Sequence, residues 1–258
     1  SYVKNEIKNL GNQTGYIDKE SLPTLGTVSR NQNGYPIGYF FGYKAIGVFQ
    51  TQEEIDNYIS PATGKPIQPN AVPGDTKFED LNGDGVISDD NEDRTMIGKP
   101  NPDWMVGLTV AADWNGFDLS AFFQGSFGAD VFDALRRYEL AAVNYTSDAL
   151  ERWTGPGTSN SMPRIVLGDT PKNFRPSTLL VHDASFLRLR NLQVGYTLPA
   201  QLTRKAYIQR LRFYASFDNL LTITGYKGMD PEIGSTMGID KGVYPQARVY
   251  TFGLNLTF

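Results

Sequence analysis

The 258-residue sequence contains no cysteine. That excludes a disulfide framework, thiolate chemistry and any cysteine-ligated metal. A single histidine, His182, excludes every two-histidine metal site. No apolar run approaches the roughly 20 residues of a membrane-spanning helix. This rules out a helical membrane protein only, because alternating strands hide their hydrophobicity. Basic residues are not in excess: 24 Lys and Arg stand against 28 Asp and Glu, a net charge of −4. No basic face therefore points to nucleic acid. No nucleophile elbow, phosphate loop or zinc motif is present, and the expectation is that the chain is not an enzyme. Carboxylate pairs exist on paper, as in any chain this acidic. Arg164, Arg188 and His182 nevertheless form no constellation, and His182 reads as a loop histidine. No signal-peptide pattern is read in the opening residues. The opening S-Y-V-K-N-E-I resembles the end of a strand already under way, so residue 1 is not expected to be the natural start.

Alternation is abundant. In the last stretch, V-Y-T-F-G-L-N-L-T-F, the residues Tyr250, Phe252, Leu254, Leu256 and Phe258 share one face. Val249, Thr251, Gly253, Asn255 and Thr257 share the other, as the two-residue repeat of a strand requires. About ten residues is the length a tilted strand needs to cross a bilayer core. An aromatic edge strand left open would invite aggregation, and a closed barrel removes that edge.

The same pattern recurs upstream. Residues 104–114 place Trp104, Val106, Leu108, Val110, Ala112 and Trp114 on one face. Asn115-Gly116 follows, a strong hairpin signal. The return strand, 117–127, puts Phe117, Leu119, Ala121 and Phe123 opposite Asp118, Ser120, Phe122 and Gln124. Tryptophans at both ends of one apolar face match the two aromatic girdles of a membrane barrel. Residues 186–198 and 211–222 read as two more strands. The first breaks phase at Leu187-Arg188-Leu189-Arg190, which predicts a bulge.

Between these strands the connections alternate in length. Asn115-Gly116 and 199–209 are short, whereas 128–185 and 225–247 are long. All short turns then fall on one side and all long loops on the other, as in outer-membrane barrels. Within the loops, residues 1–38 are expected to be irregular with short strands, and Gly38–Gln50 one aromatic strand with bends at Gly42 and Gly47. Residues 51–59 are expected to form a helix capped by Thr51 and Glu54. Residues 60–75 carry Pro61, Pro66, Pro69 and Pro73 and read as loop. Helical patches are expected at 131–142 and 147–153. Tyr138, Tyr145 and Trp153 are the loop aromatics that could stack on sugar or touch a lid.

Asp80–Asp93 reads D-L-N-G-D-G-V-I-S-D-D-N-E-D. Asp80, Asn82 and Asp84 occupy positions 1, 3 and 5 of an EF-hand-type calcium loop, Gly85 position 6, and Val86 the position that offers a backbone carbonyl. Ile87 would anchor the loop. Position 12 is Asn91 where a carboxylate belongs, with Asp90, Glu92 and Asp93 close by to close the site. The expected cofactor is structural Ca²⁺. The alternative to a membrane barrel is a soluble, calcium-stabilised β-sandwich that binds carbohydrate, and an acidic surface turn is the alternative to the cation site.

Taken together, Y-P-I-G-Y-F-F-G-Y-K-A-I-G-V-F-Q (35–50), G-D-T-K-F-E-D-L-N-G-D-G-V-I (74–87), R-T-M-I-G-K-P-N-P-D-W (94–104), A-S-F-L-R-L-R-N-L-Q-V-G-Y-T-L-P (184–199) and F-D-N-L-L-T-I-T-G-Y-K-G-M-D-P-E (217–232) resemble a family. It is the C-terminal third of SusC/RagA-type TonB-dependent transporters of the Gram-negative, Bacteroidetes-like outer membrane. The resemblance covers nearly the whole chain. It implies an all-β fold, part of a roughly 22-stranded transmembrane antiparallel β-barrel, whose strands alone need about 220 residues. Residues 1–258 would then be the C-terminal part of that barrel, with external loops about 51–103, 128–185 and 225–247, and with the N-terminal plug outside this chain. It implies TonB as energy source through that plug. It also implies a SusD-like lipoprotein lid, contact with outer-membrane lipid and the remainder of the barrel, and a glycan oligomer or peptide as substrate. In the family the acidic loop closes on an Asp directly before Arg. Here that residue is Asp93, two positions late.

Overall fold

The computed structural model describes residues 1–90, 92–140, 144–232 and 237–258. Five long strands form one antiparallel wall: β1 (Trp104–Trp114), β2 (Phe117–Phe127), β3 (Phe186–Thr197), β4 (Arg210–Thr224) and β5 (Val249–Thr257). Each strand pairs with its sequence neighbour, in the order β1-β2-β3-β4-β5. The β1–β2 register runs unbroken from Trp114↔Phe117 to Trp104↔Phe127. Asn115 and Gly116 both take positive φ, 49° and 86°, as a two-residue turn matched to the strand twist demands. The chain start lies along the outer edge of β1. Ser1 and Met105 exchange backbone bonds of 2.7 and 3.0 Å, and the rings of Tyr2 and Trp104 sit 4.9 Å apart.

One wall face is apolar and open. Trp104, Val106, Leu108, Val110 and Trp114 on β1 are exposed, as are Tyr250, Phe252, Leu254 and Leu256 on β5. Trp114 is 76% exposed and Phe252 75%. A sandwich would bury this face under a second sheet. Among the described residues none covers it, so the soluble-sandwich alternative loses its main requirement. No helix of the described residues is long and apolar enough to cross a membrane. The wall meets the bilayer-crossing requirement with strands instead, and the fold is a portion of a transmembrane β-barrel.

The buried core lies elsewhere, among the loops at one end of the wall. Leu22, Val28, Phe40, Phe132, Ala134, Leu180 and Ile239 form one cluster. Tyr138, Ala149 and Phe174 form another. These residues come from segments far apart in sequence, so residues 1–103 and the two long loops are knitted into one body.

Four loop expectations change in detail. The aromatic run 38–50 is two strands, Tyr39–Gly42 and Ala45–Val48, in different sheets. The chain breaks away because Tyr43 donates its N–H to the Pro176 carbonyl (2.8 Å). A Cβ on Gly42 would sit 2.3 Å from that same oxygen. Gly47 does mark a bulge, with φ of 145° and a register slip against Lys77. The expected helical patch at 131–142 is not helical at any of residues 131–140: Asp130–Asp133 is a strand, antiparallel to Val181–Asp183 and parallel to Ile239–Asp240, and bends and turns follow it. Val131 and Phe132 are both buried, so no alternation survives to announce a strand. Residues 141–142 lie outside the described residues. The second patch is a 3₁₀ turn, Ser147–Glu151. The capped helix forms over Gln52–Asp56, with Thr51 Oγ1 accepting from the Glu54 N–H at 3.2 Å. The Glu54 carboxylate reaches back one residue further than a standard capping box, to the Gln50 N–H at 2.7 Å.

Candidate functional site

Two glycines set the acidic loop. Gly83 and Gly85 take φ of 78° and 87°. A Cβ on Gly85 would sit 2.8 Å from Ser60 and Thr63, so the loop is pressed onto the 60–65 turn. With the backbone so folded, its N–H groups point inward and the acidic side chains meet them. Asp80 accepts from the Gly83 and Gly85 amides at 2.8 and 2.9 Å. Asn82 Oδ1 accepts from Asp84 N–H (3.0 Å), and Asp84 Oδ1 accepts from Val86 N–H (2.8 Å). Asn82 Nδ2 donates to Asp84 and Glu92. Val86 itself is exposed.

Asp93 has no exposed surface. It accepts from Leu81 N–H at 3.1 Å and Ser88 N–H at 3.0 Å, tying the two ends of the loop together. Arg94 follows it inward, donating to the backbone carbonyls of Phe41 (2.6 Å) and Thr27. The Asp93-Arg94 pair is thus the anchor of the loop. Asn91, the formal twelfth position, lies outside the described residues.

The donor set is all oxygen, which suits a hard cation. Yet Asp80, Asp84 and Asp93 are spent on backbone amides. Among the described residues no group of three or more His, Cys, Asp or Glu side chains is drawn together as a metal cage. These bonds hold the loop in its turn, and each carboxylate oxygen that accepts one amide keeps a further lone pair.

The loop aromatics divide. Tyr138 is buried against Phe174 (4.8 Å) and bonds Thr146 through its hydroxyl. The Trp153 ring lies where a Cβ on Gly74 would stand, and its N–H donates to Gln50. Both are packing residues. Tyr145 is the exposed one. His182 sits 3.7 Å from Asp133, and burial holds its imidazole below the usual range. It lies on the Val181–Asp183 loop strand, as a loop histidine.

The other wall face is polar. Asn191 donates to Ser216 (3.1 Å) and Asp218 (2.7 Å). Arg212 on β4 grips Asp118 on β2 with two bonds, 2.8 and 2.5 Å. The pair spans β3 by passing over Gly195, where a Cβ would stand 2.4 Å from each partner. No sequence motif marks this bridge. The glycine in the polar phase of β3 was its one visible trace.

The comparisons agree with this geometry. No protein-family model matches the chain. It is 34% identical over 238 residues to TonB-dependent receptor P3 of Formosa agariphila, covering 88% of this chain and 23% of the receptor. It is 30% identical over 257 residues to TonB-dependent receptor SusC of Bacteroides thetaiotaomicron, covering 98% of this chain and 23% of that one. Among solved structures it is similar to a chain of the RagAB peptide importer in the open-open state, with a TM-score of 0.68 and 28% identity. That match covers 98% of this chain and 25% of that one. The chain spans about a quarter of the length of the relatives it matches.

Proposed function

We propose that this chain, which matches SusC/RagA-type TonB-dependent receptors over nearly its whole length, serves as one section of an outer-membrane importer. The observation that carries the reading is the wall: five neighbouring strands with one open apolar face, one polar face, short turns at one end and folded loops at the other. The apolar face meets lipid and the polar face lines the channel. The complete receptor would take energy from TonB and work with a SusD-like lipoprotein. Its substrate would be a glycan oligomer or a peptide, with the chemistry done elsewhere.

We also propose that the acidic loop takes a structural Ca²⁺ through Asp80, Asn82, Asp84, the Val86 carbonyl and Asp93. The all-oxygen donor set and the fixed Gly85 turn support this. The cation would relieve the mutual repulsion of acids now held on backbone amides.

Deleting the gene in its native host tests the import reading. Loss of growth on one glycan or peptide class, restored by the intact gene, is expected. Unchanged growth and uptake on every such nutrient the host uses would contradict it.

A further inference from the structure

The loop between β4 and β5 approaches the polar wall face, and two arginines of β3 meet it there. Arg188 is 2% exposed in its side chain. Its Nη2 donates to Asp230 at 2.5 Å, its Nη1 to Glu232 at 2.9 Å and its Nε to Thr222 of β4 at 2.9 Å. Arg190 donates from Nη2 to both oxygens of Glu232, at 2.5 and 2.6 Å. Its Nε reaches Gln124 of β2 at 2.7 Å, and its Nη1 reaches Asn219 at 3.2 Å. The far end of the loop is tied to the same groups. Asp230 accepts from Gln246 N–H (3.0 Å), and Asn219 donates to the Ala247 carbonyl (3.0 Å).

A register slip accompanies this geometry. On a regular strand Arg190 and Asn191 would point to opposite faces. Here the pairing with both neighbours slips at Arg190, and both side chains reach the polar face. Asn219 takes φ of 51° at the same level of β4. Arg188 and Arg190 share a face as residues two apart on a strand do, the bulge lets Asn191 share it with them, and the Asp-Pro-Glu of the loop supplies two carboxylates at matching spacing. Charge-assisted and bidentate bonds of this kind are the strong ones.

We propose that residues 230–232 are a fixed part of the channel mouth, clamped to the inner wall by Arg188 and Arg190, so that a solute entering from the loop side passes a set constriction rather than a free flap. The channel in that statement rests on the importer reading, while the clamp itself rests on the contacts above.

The test is amide hydrogen exchange on the complete receptor, comparing Glu232→Gln, Arg190→Gln and the double variant. Glu232 belongs to the loop, so its replacement leaves the wall strands intact. Retained exchange protection of β1–β5 serves as the folding control. Each single variant is expected to speed exchange at 225–232 and 244–248 by about tenfold or more. The double variant is expected to fall well short of the summed single effects, since the Arg190–Glu232 contact is common to both while each residue also keeps partners of its own. Unchanged exchange in Glu232→Gln, or fully additive effects in the double, would overturn the clamp. A receptor found outside the outer membrane would overturn the importer reading and leave the exchange result as it stands.

Discussion

At the scale of single residues, glycines decide which side chains can meet. Gly195 is the clearest case, because the Asp118–Arg212 bridge crosses β3 only where no Cβ intervenes. Gly195→Leu in the complete receptor is expected to break the bridge and cost about 1–3 kcal/mol by overpacking. Gly107→Ala is the control, since the nearest atom to its added Cβ is 3.6 Å away. Equal urea midpoints for both variants would contradict the assigned role. The acidic loop was legible in the sequence at this scale, because Asp80, Asn82, Asp84 and Gly85 carry their spacing with them. The sequence offered Asp90, Glu92 and Asp93 to close it, the family resemblance pointed to Asp93, and the hydrogen bonding was not legible at all. Arg188 shows the opposite limit. It looked like one more polar residue in a broken phase, and its partners lie 42 and 44 positions away. If the loop holds calcium, chelation should raise protease sensitivity across 74–103 while the wall stays folded. Unchanged cleavage in EDTA would contradict the cation.

At the scale of elements, the wall strands were legible with their facing and the loop strands only in part, the 38–50 run by its aromatics, for one physical reason. A strand with lipid on one side and a polar lining on the other must alternate, and β1, β2, β3, β4 and β5 do. Asp130–Asp133 is buried on both sides and Tyr39–Gly42 is fully buried, so their sequences carry no period. The bulge in β3 was legible because it breaks a phase that both flanks keep. The facing of β5 gives a direct prediction. Leu254→Arg places a charge on the apolar face and is expected to cost about 2–4 kcal/mol if it sits near the bilayer midplane. Asn255→Arg, one position on, is expected to cost little. The two variants are compared by folding titrations in lipid vesicles, and equal costs would refute the facing.

At the scale of the whole molecule, two different solvents shape one chain. The wall keeps its hydrophobic residues outside and has almost no core of its own. The loops fold around Phe40, Phe132, Leu180 and their neighbours like a soluble protein. That division explains a mean hydropathy of −0.36 in a chain read as a membrane protein. It also explains why the loops are so long: they must bury enough apolar surface to hold themselves together at one end of the wall. The measurement that tests the central claim most directly is membrane fractionation of the native source, with the intact mass of the denatured polypeptide carrying this sequence. The account predicts an outer-membrane protein, of about four times the mass of this chain or accompanied by a larger complementary piece. A soluble species of about this chain's own mass would contradict it.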